Sequence, residues 1–149
     1  MAFDFASQNE IASSWHYLGE DTNVPKSAFE AHTAIEEGLP ASMLRHFKSV
    51  VGGLSNEVWA NIMNVSLSTI KDLAKKDRLS VQLSSQMVLF AVLLARAEDV
   101  FGGKEAALKW FSEEQMALSG RKPIDLLDTF VGANLVSRTL IQIDRGVYV

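Results

Sequence analysis

The segment of residues 81–101 constrains the fold of this chain more than any other. Its apolar residues are spaced alternately four and three apart, so a helix would carry them as one continuous stripe. An uninterrupted apolar run extends from Met87 to Ala95, far short of the roughly 20 residues that are needed to cross a bilayer. We therefore predict a long buried helix, ended by Gly102 and Gly103. The stripe consists of Leu83, Met87, Phe90, Leu94, Ala97 and Phe101.

Helical spacing extends over the rest of the chain, and no segment alternates apolar and polar residues as a half-buried strand does. Gly38 would end one helix, and Pro40 would begin the next, where its missing N–H is harmless. The sequence thus predicts an all-α protein. The predicted helices lie near residues 27–37, 40–51, 56–63, 67–76, 81–101, 104–111, 123–129 and 134–144, after a short helix around Ile11, Trp15 and Leu18.

The composition narrows the class of protein. The chain has no cysteine, which excludes a disulfide framework and is compatible with a reducing cytosol. Its first residues lack the basic and apolar regions of a signal peptide, so we expect a cytoplasmic protein without membrane association. The net charge is −4, yet residues 41–80 carry six basic and three acidic side chains. A local basic segment of this kind indicates contact with DNA, although a solvated helix face would have the same composition.

A short helix, a tight turn and a second helix form the pattern of a helix-turn-helix. Ser55 and Ser66 are suitable N-caps for the two helices, and Asn64 tolerates the left-handed conformation that such a turn needs. Ile70 and Ala74 would face inward and leave hydroxyl groups and lysines outside. A helix fits the major groove, where hydroxyls can reach base edges and lysines can pair with phosphates. The predicted DNA-binding residues are Ser66, Ser68, Thr69, Lys71, Lys75 and Lys76.

The residue patterns that carry catalysis or metal binding are absent from the sequence. His16, His32 and His46 are far apart, which argues against a metal site. Asp125 and Asp128 lie three apart on one predicted helix, but the first suits a helix N-terminus and the second its exposed side. Neither a Gly-x-Ser-x-Gly elbow nor a Gly-Lys-Ser/Thr phosphate loop occurs. We therefore expect no enzyme activity, no metal and no cofactor.

The C-terminal stretch of residues 143–149 is apolar and aromatic at its end. Free termini are usually polar and fray, so this stretch favours burial, either against its own fold or in the cleft of a partner. The spacing of the residues leaves both alternatives open.

Several stretches in the last third of the chain occur in a recognisable order. They are ALKWF at residues 107–111, ALSGRKPIDLLDT at 117–129, Gly132, Ala133, Val136, Leu140 and Ile143 in the last predicted helix, and GVY at 146–148. Together they resemble the toxin-binding domain of the Xre/MbcA/ParS antitoxin family. GLP at residues 38–40 and ARAEDVFG at 95–102 are similar to the same family. The resemblance therefore covers most of the chain beyond residue 35.

This resemblance implies a helix-turn-helix DNA-binding module followed by a small helical toxin-binding domain. We expect residues 1–38 to form an N-terminal helical segment that could serve dimerisation, 39–101 the Xre-like helix-turn-helix region, and 102–149 the toxin-binding domain. Members of the family are antitoxins of type II toxin–antitoxin systems. They bind a cognate RES-domain toxin, which consumes NAD or uses it for ADP-ribosylation, and they repress their own operon by binding operator DNA, often as homodimers.

The resemblance places the toxin contacts on the C-terminal helices and tail. Arginine and tyrosine are frequent high-energy residues of protein interfaces, and the apolar tail would enter the toxin's cleft. The predicted toxin-binding residues are Arg121, Arg138, Asp144, Arg145, Gly146, Val147, Tyr148 and Val149.

The sequence departs from the family pattern in three places. The loop after the tryptophan helix, residues 112–116, lacks the Pro-Asn-like sequence of the family, Ser119 stands in place of one glycine, and Met87 to Leu94 lacks the arginine that many members have. Two alternatives to the antitoxin remain open at this point. One is a helix-turn-helix transcription regulator without a toxin partner, and the other is an adaptor whose helix pair does not touch DNA.

Overall fold

A computed structural model describes residues 6–146, and within that range the chain folds into eight α-helices without a β-strand. The predicted all-α class is confirmed. The helices are α1 (Gln8–Tyr17), α2 (Ala28–Glu37), α3 (Ala41–Val51), α4 (Asn56–Met63), α5 (Leu67–Asp72), α6 (Val81–Phe101), α7 (Lys104–Ser112) and α8 (Phe130–Asp144). In this part of the chain, no helix has the length and the apolar character that crossing a membrane would require.

Helix α6 is the axis of the fold. Its bounds agree with the sequence prediction, and α1, α2, α4, α7 and α8 all pack against it. The long run of apolar residues is buried on nearly every side, as it is in a central helix that other helices surround. Gly102, in the left-handed conformation with φ 85°, ends the helix as predicted.

Hydroxyl side chains begin most of the helices. In each case the hydroxyl oxygen accepts a hydrogen bond from the backbone N–H three residues later, which satisfies a donor that the first turn leaves free. The capping residues are Ser7, Ser27, Ser55, Ser66, Ser80 and Thr129.

Three details of the predicted helices are wrong. Helix α8 begins at Phe130 and not near residue 134, because the Thr129 hydroxyl caps it by accepting from the Gly132 N–H at 2.9 Å. The segment after Pro123 is a single 3-10 turn, Pro123–Leu126, and no α-helix. Helix α5 ends at Asp72 and continues as a 3-10 turn. Since a 3-10 helix advances about 120° per residue, Ala74 turns outward and is exposed.

Two backbone hydrogen bonds join the chain at the start of α3 to the segment just before α6. The Leu79 N–H donates to the Leu39 carbonyl at 2.8 Å, and the Ala41 N–H donates to the Asp77 carbonyl at 2.9 Å. Gly38 has a φ of 82°, and a Cβ there would lie 2.6 Å from the Leu79 carbonyl oxygen. Only glycine fits this position.

Candidate functional site

The helix-turn-helix pair is formed by α4, a tight turn and α5. Asn64 ends α4 in the left-handed conformation, with φ 56° and ψ 48°, and its N–H donates to the carbonyls of Ala60 and Asn61. Ser66 then caps α5 through the Thr69 N–H at 3.1 Å. The predicted caps and turn are thus confirmed.

Aromatic rings of α3 and α6 pack against the first helix of this pair. Trp59 of α4 lies with its ring centroid 5.3 Å from Phe47 of α3 and 5.7 Å from Phe90 of α6. Phe90 also contacts Phe111 of α7 at 5.6 Å, edge to face. These four rings form one cluster, which we call the aromatic cluster. It joins the helix-turn-helix to the C-terminal helices.

The six predicted DNA-binding residues lie on one short segment, in α5 and the turns that flank it. Ser68 is exposed, and so are Lys71, Lys75 and Lys76, which we call the lysine cluster. The Ser66 hydroxyl is 3.0 Å from the hydroxyl of Thr69, which is half-buried. These two hydroxyls are therefore engaged in the cap, and Ser68 and the lysine cluster are the residues presented outward.

Other basic residues of the segment 41–80 have structural partners. Lys48 donates from Nζ to the Asn56 side-chain oxygen at 2.9 Å, and the Arg78 guanidinium donates to the Gly38 carbonyl. The first contact fixes α3 against α4. The second fixes the segment between α5 and α6 against the end of α2. Some of the basic residues in this segment therefore make structural contacts, whereas the lysine cluster lies on the surface.

The C-terminal part contains α7, a loop, the 3-10 turn Pro123–Leu126 and α8. In the loop the Gln115 N–H donates to the Arg121 carbonyl at 3.1 Å, and Ser119 has a left-handed φ of 57°. This conformation is the one that glycine adopts most readily, which is consistent with the glycine of the family pattern at this position; nothing in the structure explains the serine.

The structure places five of the predicted toxin-binding residues on the surface. Arg121 lies in the loop and Arg138 on α8, Asp144 is the last residue of α8, and Arg145, its C-cap, and Gly146 follow. Arg138 and Arg145, seven residues apart, lie on one side of the helix. All five are exposed. Val147, Tyr148 and Val149 lie outside the described residues.

One side-chain amide links the two parts of the molecule. Gln86 of α6 donates from Nε2 to the carbonyl of Ile62 in the last turn of α4, at 2.8 Å, and to the carbonyl of Leu127, just before α8, at 2.6 Å. Helix termini leave such carbonyls without a helical partner. Gln86 therefore satisfies carbonyls at the end of α4 and at the end of the 3-10 turn Pro123–Leu126 together.

A second link joins α1 to the same scaffold. Arg96 of α6 donates from Nε to the Glu10 carboxylate at 2.7 Å and from Nη1 to the Ser137 hydroxyl at 2.7 Å. Burial alone would raise the pKa of Glu10, but the bond and charge of Arg96, with bonds from Ser7, hold it below its ordinary value. The carboxylate is thus kept ionised in a protein interior.

Tyr17 extends this link at the other end of α1. Its hydroxyl donates to the Glu98 carboxylate. Burial, together with the bond and the charge of Glu98, raises the pKa of Tyr17 above its ordinary value. The hydroxyl stays protonated and can act as the donor of this bond.

Sequence reasoning did not find Gln86, Arg96 and Glu10. Each is a polar residue whose partners are 24 to 86 positions away, and periodicity carries no information on such contacts. Within the described residues, no group of three or more histidine or acidic side chains could hold a metal ion.

The geometry defines a helix-turn-helix protein whose C-terminal helices share its core. Residues 30–92 match the family described as antitoxin Xre-like helix-turn-helix domain. Residues 96–146 match the family described as antitoxin Xre/MbcA/ParS C-terminal toxin-binding domain.

Two curated relatives are similar over most of their length. The chain is 32% identical to a Prs ADP-ribosylating antitoxin of Sphingobium sp. strain YBL2 over 124 residues, which is 76% of this chain and 77% of the relative. It is 33% identical to Antitoxin Xre of Pseudomonas putida strain KT2440 over 121 residues, which is 80% of this chain and 74% of the relative. The chain belongs to the Xre/MbcA/ParS antitoxin family.

Proposed function

We propose that this protein is the antitoxin of a type II toxin–antitoxin system with a RES-domain toxin. It binds and inhibits the toxin, which consumes NAD or transfers ADP-ribose, and it represses its own operon by binding operator DNA. The observation that carries the proposal is the presence, on one core, of a helix-turn-helix with an exposed lysine cluster and of a domain matched to a toxin-binding family. The name of the Sphingobium relative, which joins an antitoxin to ADP-ribosylation, supports the chemistry of the toxin.

In this proposal, DNA contact is made by α5 and the residues around it. Ser68 lies at the second position of α5, the part of a recognition helix that points at base edges. The lysine cluster pairs with phosphates, and such pairs contribute most of the salt-dependent affinity. Two copies, as a homodimer in the cytoplasm, would read two half-sites of a palindromic operator. The protein acts as a stoichiometric regulator, without cofactor or catalysis of its own.

Toxin contact is assigned to residues 102–149. Arg121, Arg138, Asp144 and Arg145 are exposed polar residues of this part, and residues 146–149 form the segment that enters the substrate entrance of the toxin. A guanidinium can bind a carboxylate with two parallel hydrogen bonds, which gives a contact both strength and direction.

The first experiment measures NAD consumption by the toxin that the adjacent reading frame encodes. NAD loss is followed while this protein is added, with the lysine cluster changed to glutamine as a matched variant. Inhibition should saturate at a fixed ratio of the two proteins, and the lysine variant should inhibit as well as the wild type while losing operator binding. If the toxin is active, both proteins are folded, and neither inhibition nor a complex is found, a regulator without a toxin partner is the better account.

Deleting residues 146–149 tests the tail. Inhibition should weaken while the helical signal in circular dichroism stays nearly the same, because these residues follow the last helix. Full inhibition by the shortened chain would remove the tail from the mechanism.

A further inference from the structure

We propose that one exposed face of α8, with Phe130 and Val131 at its apolar end and Arg138 and Arg145 at its basic end, is the main docking surface for the toxin. The partner surface that fits it has an apolar socket beside a group of carboxylates. The inference rests on the proposed function and deepens it, because it names the surface of α8 that binds the toxin and the chemistry of the toxin surface that receives it.

The apolar end of this face is unusual for a protein surface. Phe130 is 72% exposed and Val131 is 66% exposed. Other exposed large apolar residues of the described chain, such as Phe29 and Met116, lie far from one another in the sequence. Single exposed apolar side chains are normal. These two are distinguished by lying side by side at the start of α8 and next to a cleft.

A cleft opens directly beside the pair. It has a volume of about 240 Å³ and is lined by Ser85 and Leu89 of α6, by Asp128 and Thr129, and by Phe130 itself. An apolar group of the partner can enter this cleft against Leu89 and the Phe130 ring. The pair and the cleft together form a surface with both a projection and a recess.

The backbone holds the pair in a fixed position. The Thr129 hydroxyl caps the first turn of α8, and a Cβ at Gly132 would lie 2.0 Å from the Leu126 carbonyl oxygen. Gly132 thus brings this turn into direct contact with the preceding segment. Because Ala133 and Val136 fill the buried face, Phe130 cannot turn inward without unwinding the helix. A side chain held in this way loses little conformational freedom when it binds.

The face continues from the pair to the basic end of α8. Residues at intervals of about three and four lie on one side of a helix. On this side the exposed positions are apolar at the start of α8 and basic at its end. The residues of the face are Val131, Leu135, Arg138, Gln142 and Arg145, with Phe130 beside the first.

A second copy of this chain is a poor occupant for the face. If two α8 helices paired antiparallel to enlarge the contact, Arg138 near the middle of each would approach its counterpart. Like charges that meet in this way oppose association.

The toxin is the partner that fits this face best. Residues 96–146, which contain α8, match a toxin-binding domain. The guanidinium groups of Arg138 and Arg145 would pair most strongly with carboxylates on that partner.

The test compares toxin affinity of paired variants by isothermal titration calorimetry. Phe130→Ala with Val131→Ala should weaken the affinity about tenfold to a hundredfold, which is the effect of removing an interface anchor. Phe29→Ala is the matched control, since Phe29 is 78% exposed on α2, and it should stay within about twofold. Arg138→Glu should weaken binding by a similar factor, and the wild-type affinity should fall with added salt.

Operator affinity and the circular dichroism spectrum of each variant should match the wild type, which shows that a loss of binding does not come from a loss of fold. An alanine double variant that binds the toxin within about threefold of the wild type overturns the inference while the proposed function stands. A variant that turns a dimer into a monomer and leaves toxin affinity unchanged assigns the face to a second copy. A wild-type protein that does not bind the toxin at all overturns the proposed function and the inference with it.

Discussion

Replacing Arg96 by methionine should destabilise the protein by about 3 kcal/mol. The Arg96 and Glu10 side chains are 12% and 13% exposed, and the Arg96 Nε atom lies 2.7 Å from a Glu10 carboxylate oxygen. Removing one partner of a buried ion pair costs roughly 3–5 kcal/mol, because it leaves an uncompensated charge in the interior. The Ser7 N–H donates to the Glu10 carboxylate at 2.9 Å and relieves part of this charge, so we expect the lower end of that range.

For a protein of this size, 1 kcal/mol corresponds to roughly 2–4 °C in Tm, so Arg96→Met should lower Tm by about 6–12 °C. The effect depends on pH in a definite direction. The pKa of Glu10 is lowered in the folded state from its ordinary value of 4.5. The pair therefore stabilises the fold fully above about pH 4.5 and loses its contribution as the pH falls through the folded pKa.

In the Arg96→Met variant the carboxylate keeps its burial without its cation, so its pKa rises. The difference in stability between wild type and variant should thus shrink below about pH 4.5. The assay is urea unfolding at pH 7 and pH 4 for the wild type, Arg96→Met, Glu10→Gln and the double variant, which together give the coupling energy. Arg45→Met, at an exposed arginine of α3, is the control and should change stability by less than about 0.5 kcal/mol. If Arg96→Met behaves like Arg45→Met, or if its effect is the same at both pH values, the reasoning is refuted.

Three further predictions concern the fold and the DNA contact. Gly132→Ala should destabilise by about 3 kcal/mol in urea unfolding and weaken toxin binding, because its Cβ would meet the Leu126 carbonyl at 2.0 Å; an unchanged midpoint would mean that this turn adjusts freely. Ser119→Gly should stabilise by about 0.5 kcal/mol in calorimetry, since relief of the left-handed φ of 57° outweighs the added entropy of glycine; a loss of stability would contradict this balance. Changing the lysine cluster to glutamine should reduce the slope of log affinity for operator DNA against log salt by about three units or somewhat less, and an identical slope would remove these lysines from the interface.

The helices could be predicted where local signals agree. In α6 the apolar spacing and the terminal glycine predict the same helix, and the predicted bounds agree with the structure. The same holds for α4, where Ser55 caps the start and Asn64 makes the turn. These features depend on neighbours within a few positions, which is the information that a sequence displays directly.

The start of α8 shows why the rest could not be predicted. Gly132 suggests a boundary, because glycine weakens a helix interior, yet here it lies inside the first turn, where close contact with Leu126 requires it. Similarly, the hydrogen bonds of Gln86 to α4 and to the segment before α8 join residues 24 and 41 positions apart. The helical periodicity of the sequence carries no information on contacts at such separations. The exposure of Phe130 and Val131 follows from the corrected start of the helix, so the sequence prediction left this face unnoticed.

Helix α6 has a consequence for how this protein can be recombined. The two family matches meet inside it, at residues 92 and 96, and the aromatic cluster lies across the same junction through Phe90. A chimera that joins the helix-turn-helix part of one relative to the C-terminal part of another would therefore cut through a packed core and not through a linker. We expect such a chimera to fold only if the whole of α6 is exchanged along with the rings that touch it.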